Sequence, residues 1–406
     1  MNRRVLLALL VTACGAPDFE FRARGPDFEA TEVLRLGGPD DPRESFTAFT
    51  ALLVDRRGRI YTLHPDEHLI RVRAPDGELV RTIGREGEGP GEFRRPAAMG
   101  FVGDTLWVFD PGLRRLAYFD SAGRDLHTWH RPVTPGRPGI LAAPRTTGLF
   151  HDGTVRGSSV PWSNLVASGE IKWSAALRLD SSGSVVDTVA AWSVANTVWA
   201  IDEPDDPTGF RAYRPQPFSD TELVIVSSFA PRTLRVQRTV LKERDQASYT
   251  VTMVRFDGDT VFHRGFTYTP RELSGQEVES VVAEFAGAMR DMRSAKAPTP
   301  ERAVALARKS LYRPKFVPPV RAAVLGADGS VWLRVPDAAG SAVWRILAAN
   351  GGVVGLVHLP LRFEPLWATI DHAWGRDFDE LDVPYLVVLR LAPVGPRRDV
   401  KDILGS

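Results

Sequence analysis

Gly58-Arg59-Ile60-Tyr61-Thr62-Leu63, Leu69-Ile70-Arg71-Val72-Arg73 and Glu78-Leu79-Val80-Arg81-Thr82-Ile83-Gly84 are three short alternating runs, the last two joined across Pro75-Asp76-Gly77. Alternation with a period of two predicts strands with one buried face. Asp-Gly between two such runs marks a tight hairpin, because its central residues must accept positive φ. The same order returns in Asp104-Thr105-Leu106-Trp107-Val108-Phe109, Arg115-Leu116-Ala117-Tyr118-Phe119 and, after Ser121-Ala122-Gly123, Arg124-Asp125-Leu126-His127-Thr128-Trp129. Residues 58–129 therefore hold two copies of one β-meander, and the first run of each is expected to be its inner strand. The connector Gly84-Arg85-Glu86-Gly87-Glu88-Gly89-Pro90-Gly91-Glu92-Phe93 links the copies.

That connector followed by Pro96, with Asp110, Arg115, Phe119 and Gly123 at their spacing in the second copy, resembles the NHL repeat of six-bladed, TolB-like β-propellers. Leu113 stands where that family usually has asparagine. The resemblance implies an all-β fold, and weaker echoes of the unit carry it onward. His151–Val155 with Ala176–Val186 marks a third unit, and Asp220–Val226 with Thr252–Phe262 a fourth. Asp328–Leu333, Val343–Leu347 and Gly352–Val357 mark a fifth; Leu366–Ile370, Trp374 and Tyr385–Leu391 belong to a sixth that lacks its outer strand. The surplus run Thr31-Glu32-Val33-Leu34-Arg35-Leu36 can supply it. The expected fold is a six-bladed β-propeller over 30–396, its ring closed by this N-terminal strand and two exposed edges thereby removed.

One segment breaks the period. The interval between the fourth and fifth units is about twice that between the first and second. Within it, Ser274-Gly275-Gln276-Glu277 is a capping box and Thr299-Pro300-Glu301 a second helix start. Val278, Val281, Val282, Phe285, Met289 and Met292 fall on one helical face, as do Ala303, Val304, Ala307 and Leu311. A helical hairpin over about 272–312 is expected between blades four and five, its apolar stripe docked on the propeller.

The 406 residues are 43% hydrophobic and 25% charged, with 35 glycines and 31 prolines dispersed as a turn-rich β chain requires. A net charge of +1 offers no global footprint for nucleic acid. Asn2-Arg3-Arg4 and the apolar run Val5–Val11 read as a signal peptide, because the run falls far short of the ~18 residues that suggest a membrane span. Val11-Thr12-Ala13-Cys14 resembles the lipobox of bacterial lipoproteins, and Cys14 is the only cysteine. The resemblance implies cleavage after residue 13, lipid on Cys14, and anchoring in the cell envelope without a transmembrane helix. Gly15 in place of an inner-membrane retention aspartate favours the outer membrane. Residues 14–29 are then a tether and 397–406 a tail.

Chemistry-bearing patterns are few. His64-x-x-Glu67-His68 has the spacing of an inverted zinc-protease motif, which needs a helix, yet Pro65 follows a strand. Asp377, Asp379, Glu380 and Asp382 offer hard oxygens for calcium without an EF-hand glycine or closing glutamate; Asp377, Asp379 and Asp382 are the leading metal candidates. The glycine-rich connector has no Lys-Ser/Thr pair for a phosphate. Trp162, Trp173, Trp192 and Trp199 suit blade core or an aromatic binding surface. No nucleophile elbow occurs, so no catalytic residue and no cofactor is assigned. The expected role is binding of a protein, peptide or glycan partner. The alternative is a metal-dependent propeller enzyme of lactonase or amidating-lyase type, with Glu222 the one plausible ligand among the expected inner-strand starts.

Overall fold

The structure is a computed structural model and describes residues 18–20, 27–38, 48–130, 145–158, 172–202, 211–238, 247–291, 298–336 and 342–394. Strands β1 (Asp18–Glu20) and β2 (Asp27–Gly37) come first. Sheet one follows as β3 (Ala51–Val54), β4 (Ile60–His64), β5 (Leu69–Arg73) and β6 (Leu79–Ile83). Sheet two is β7 (Ala98–Val102), β8 (Thr105–Asp110), β9 (Arg115–Phe119) and β10 (Asp125–His130). Sheet three is β11 (Arg145–Leu149), β12 (Val155–Ser158), β13 (Trp173–Leu179) and β14 (Val185–Ser193). A separate hairpin, β15 (Val198–Asp202) and β16 (Arg211–Pro215), precedes sheet four. That sheet is β17 (Leu223–Val226), β18 (Arg232–Gln237), β19 (Ala247–Arg255) and β20 (Thr260–Tyr268). Helices α1 (Gly275–Asp291) and α2 (Pro300–Ser310) intervene. Sheet five is β21 (Ala322–Leu325), β22 (Val331–Val335), β23 (Ala342–Leu347) and β24 (Val353–Leu359). The chain ends with β25 (Glu364–Ala368), β26 (His372–Phe378) and β27 (Pro384–Pro393).

Each sheet is an antiparallel meander, and the meanders stand in a propeller arrangement. Neighbouring sheets touch through their first strands: β25 against β3, β3 against β7, β7 against β11, β17 against β21 and β21 against β25. Strand β2 runs antiparallel along β27, from Phe28 opposite Pro393 to Gly37 opposite Tyr385, and so adds a fourth strand to β25–β27. Its first residues, Asp27 and Phe28, also pair in parallel with Leu356 and Val357 of β24.

The core is a series of seams. Leu53, Phe93, Leu106 and Phe119 fill the contact between sheets one and two. Trp107, Phe109 and Leu149 fill the next, then Phe150, Ala176 and Val226, then Leu234, Val251, Leu325 and Leu333. Trp332, Trp344, Ala368 and Leu389 join sheets five and six, and Leu52, Ile60, Leu386 and Val388 join six to one. Burial of each such large side chain contributes roughly 1.5–3 kcal/mol, so the seams dominate the stability of the arrangement.

Three sequence expectations need correction. The runs beginning at Gly58, Asp104, Thr154 and Ser330 are second strands, not inner ones. The inner strands are the short segments before them, almost wholly apolar in Ala51-Leu52-Leu53-Val54 and Ala322-Ala323-Val324-Leu325 but not in Arg145-Thr146-Thr147-Gly148-Leu149. Both faces of the apolar ones meet neighbouring sheets, so they carry no polar alternation to detect. The 14–29 stretch is not a free tether throughout: Asp18–Glu20 pair in parallel with Arg264–Phe266, making β1 a fifth strand on sheet four. The helical stripe does not lie directly on the sheets. Val282, Phe285, Met289, Ala303 and Ala307 pack on Trp199, Ile201, Ala212 and Phe218 of the β15–β16 hairpin region, a core separate from the seams.

The helix starts follow their sequence signals. The Ser274 amide donates to Glu277 Oε2 at 3.1 Å, and the Glu277 amide donates to Ser274 Oγ at 3.2 Å, a reciprocal capping box. Thr299 accepts from the Arg302 amide at 3.4 Å, with Pro300 in the first turn.

Candidate functional site

Antiparallel alternation gives the arrangement two unlike faces. Within each four-stranded meander, the first-to-second and third-to-fourth turns leave at one end. The second-to-third loops and the connections to the next sheet leave at the other. We term these the turn face and the connection face.

The turn face is built from one repeated device. Asp55 Oδ1 accepts from the Arg57 and Arg59 amides at 2.9 Å each, Asp120 Oδ1 from Ala122 and Arg124 at 2.8 and 2.9 Å, and Asp180 Oδ1 from Ser182 and Ser184 at 2.8 and 3.0 Å. A carboxylate that satisfies two loop amides fixes the turn and leaves little side-chain surface for a ligand.

The connection face carries every site residue that the sequence singled out among the described residues, and it engages most of them structurally. Asp110 is fully buried and accepts from the amides of Arg94 (2.7 Å), Arg95 and Leu113. Arg115, 4% exposed, donates to the carbonyls of Glu88 (2.8 Å), Gly89 (2.8 Å) and Glu92 (2.5 Å). The repeat's aspartate and arginine thus clamp the glycine-rich connector, whose carbonyls accept a guanidinium where a phosphate cradle would present amides.

His64, Glu67 and His68 do not form a zinc-protease site. Pro65–Glu67 form a 3₁₀ turn, and His68 sits in the left-handed region at φ 57°. His64 bonds Thr62 Oγ1 at 2.8 Å, and Arg71 Nη1 lies 3.1 Å from its Nδ1, so a guanidinium stands where a cation would bind. Burial, helped by Arg71 and Arg73, depresses its pKa to about 3.

The leading metal candidates diverge. Asp377 Oδ2 accepts from Arg35 at 2.7 Å. Asp379 Oδ1 caps the Leu381 and Val383 amides at 2.9 Å each, and Asp382 pairs with Arg362. At Asp379 the Val383 amide and then the Leu381 amide hold the carboxyl below the ordinary aspartate range. Among the described residues no three His, Cys, Asp or Glu side chains converge as metal ligands. Glu222, the inner-strand ligand candidate, pairs with Arg235 at 2.8 Å. Glu364, the one carboxylate within β3, β7, β11, β17, β21 and β25, pairs with Arg376 at 2.6 Å. Trp367 of β25 packs on the seams of sheets one, two and six, its ring centroid 5.3 Å from that of Phe229 in the β17–β18 turn. Trp199 is core of the insertion, its indole donating to Ala307 O at 3.1 Å, whereas Trp173 is exposed. Cys14 and Trp162 lie outside the described residues.

A further feature had no signal in the sequence. A cavity of about 440 Å³ opens between sheets four and five, lined by Tyr249, Tyr268, Arg271, Arg345, Val317 and Val335, with Pro270, Pro319 and Pro336 among its walls. Its residues come from four strands and from both leads of the helical insertion, nearly a hundred positions apart in the chain. Linear spacing could not have gathered them.

Comparison with known proteins shows no family for this chain. No family model and no curated protein matches the sequence. Among solved structures, the chain is similar to a candidate exported protein from Bacteroides fragilis NCTC 9343 (10% identity, 93% of this chain and 99% of that one, TM-score 0.44). It is similar also to a DUF4221 family member from Bacteroides vulgatus ATCC 8482 (9%, 91% and 100%, TM-score 0.46). A third is virginiamycin B lyase from Staphylococcus aureus (11%, 90% and 100%, TM-score 0.40). At these levels the likeness transfers no ligand and no activity.

Proposed function

We propose that this protein is an exported, lipid-anchored six-bladed β-propeller of NHL/TolB-like type that binds a protein, peptide or glycan partner through its connection face. The observation that carries this reading is the asymmetry of the two faces. Short turns, closed by Asp55, Asp120 and Asp180, occupy the turn face. The helical insertion, the β15–β16 hairpin and the cavity all arise from the connection face. Irregular segments presented on a rigid scaffold are where binding concentrates. Strand β2 closes the ring in this reading, tying the N-terminal segment to sheets five and six.

Two experiments test it. Photo-crosslinking residues placed in the cell at Lys309 and Glu380, exposed on the connection face, should give adducts, while those at Arg56 and Ser182 on the turn face should give none. Adducts from the turn face alone would overturn the reading. Cys14→Ala should release the chain from the membrane fraction; retention would remove the lipid anchor from the proposal.

A further inference from the structure

We infer that the cavity between sheets four and five is a binding site for an organic carboxylate with an apolar body, recognised by Arg345 and Tyr268. The inference rests on the reading of the connection face as the binding face, and names a ligand class for it.

Arg345 projects from β23 and its guanidinium lies over the Phe266 ring, 5.0 Å from the centroid. Its Nη1 donates to Tyr249 Oη at 2.5 Å. Tyr249, 3% exposed, stacks on Phe266 at 5.3 Å and meets Tyr268 edge-on at 6.0 Å. Aromatic packing on one side and a buried phenol on the other thus set the guanidinium in one orientation. A cation fixed in this way loses little freedom when it forms a bidentate contact.

Its charge is not answered by any carboxylate among the described residues. Among the described residues no carboxylate lies within ion-pair distance of Arg345, whereas Arg271 is held bidentately by Glu277 at 2.8 Å for both bonds. Arg345 Nε and Tyr268 Oη are shielded from solvent and have no hydrogen-bond partner among the described residues, and the same holds for Arg271 Nε. Buried donors left unmade cost roughly 1–3 kcal/mol each, and all three belong to side chains that line the cavity, so a ligand that turns them toward it gains bonds they lack. Burial holds Tyr268 as a phenol up to a pKa of about 12, which keeps it a donor at physiological pH.

The walls narrow the ligand. Val317, Val335, Pro270, Pro319 and Pro336 present hydrocarbon, and the prolines make the site rigid before binding. One guanidinium without a carboxylate partner among the described residues, with one phenol, balances a planar monoanion. A phosphate dianion would carry a second charge into an apolar enclosure without a second free cation. The volume lies in the range of ~300–1,000 Å³ usual for small-ligand sites, enough for an aromatic or aliphatic acid or for a polypeptide C-terminus.

The test is calorimetric titration of the purified full chain in detergent with 3-phenylpropionate and with N-acetyl-Ala-Phe, each beside its primary amide. Saturable binding of an acid, weakened at least tenfold in its amide, is expected. Arg345→Gln should weaken acid binding at least tenfold and Tyr268→Phe severalfold. Binding of both acids identifies a free organic acid as sufficient, and binding of the peptide acid alone identifies a polypeptide terminus. If Arg345→Gln does not fold, Tyr268→Phe and the amide comparison decide. Equal binding of acids and amides, no saturation at millimolar concentration, or unchanged binding in the variants would overturn the inference. Its failure is separable from that of the partner reading: crosslinks at Lys309 and Glu380 that persist without acid binding leave the binding face standing and remove only the carboxylate.

Discussion

Asp55 and Asp110 show how differently the two ends of the same strands are made. Asp55, on the turn face, holds two amides of its own loop and an arginine four residues on, at 2.7–2.9 Å. Asp110, on the connection face, holds amides 15 and 16 residues away in the preceding connector, and Arg115 takes three carbonyls of that connector. The Asp55 turn closes on its own loop. The Asp110–Arg115 clamp reaches back to another segment, and connections without such a clamp carry the insertion and the cavity. The stability of the arrangement should therefore be far more sensitive to single changes at the connection end.

The largest effect is expected for Arg115→Ala. It removes three charge-assisted bonds and leaves the carbonyls of Glu88, Gly89 and Glu92 without their partner. Charged hydrogen bonds contribute roughly 1.5–3 kcal/mol each and such losses are not additive, so a cost of about 3–5 kcal/mol is expected in urea unfolding. A loss below about 1 kcal/mol would mean that the clamp is ornamental and would erase the contrast.

The second test uses pH. His64 is held neutral with a pKa of about 3, against about 6.5 unfolded. Between these values the unfolded chain binds one proton more, so stability is complete above about pH 6.5 and falls as pH falls toward 3, by at most about 1.4 kcal/mol per pH unit. His64→Gln should remove one proton's worth of that slope, measured as urea midpoints from pH 7 to pH 4. An unchanged slope would show that His64 does not couple the connection face to acid.

Much of the β architecture was legible through short β-rich runs bounded by turn residues and, in some third strands, through alternation of buried and half-buried positions. In β5 the buried Ile70 and Val72 stand either side of the half-buried Arg71, whereas β9 is buried at Leu116, Ala117 and Phe119. The helices were legible through Ser274, Glu277, Thr299 and Pro300, whose capping bonds are local. The inner strands were not, because Leu52 and Leu53 both meet seams and the polar alternation disappears. The partner of the helical stripe was not either: Trp199, Ile201 and Ala212 lie about 70–110 residues from the side chains they cover. Arg345 and Tyr268 carry no local mark at all. Their meaning arises only when sheets four and five come together.

The third test returns to the turn face. Gly77 has φ 95°, and a Cβ there would lie 2.8 Å from Leu34 Cδ1 and 3.0 Å from Leu36 Cδ1. Gly77→Ala combines left-handed strain with a contact onto β2, so a cost of about 1–3 kcal/mol is expected in the same urea assay. The paired variant Leu34→Ala should not be further destabilised by Gly77→Ala as much as the native chain is. Full additivity would place the cost in the backbone alone and leave β2 out of it.

Asp55→Ala should have the smallest effect. It removes the acceptor for the Arg57 and Arg59 amides and the Arg59 ion pair, whose groups are only partly buried. Amides near the surface regain water, so the net loss is that of a turn-stabilising hydrogen bond, about 1 kcal/mol. Gly58, at φ 76°, still sets the turn, and the Gly58 amide still donates to the Asp55 carbonyl at 2.9 Å. The backbone therefore retains its own closure when the side chain is gone. A ratio of at least threefold between the costs of Arg115→Ala and Asp55→Ala would sharpen the division of the molecule. Equal costs would show that a turn-face aspartate is as deeply coupled to the ring as the connector clamp, and that the two faces differ in shape alone.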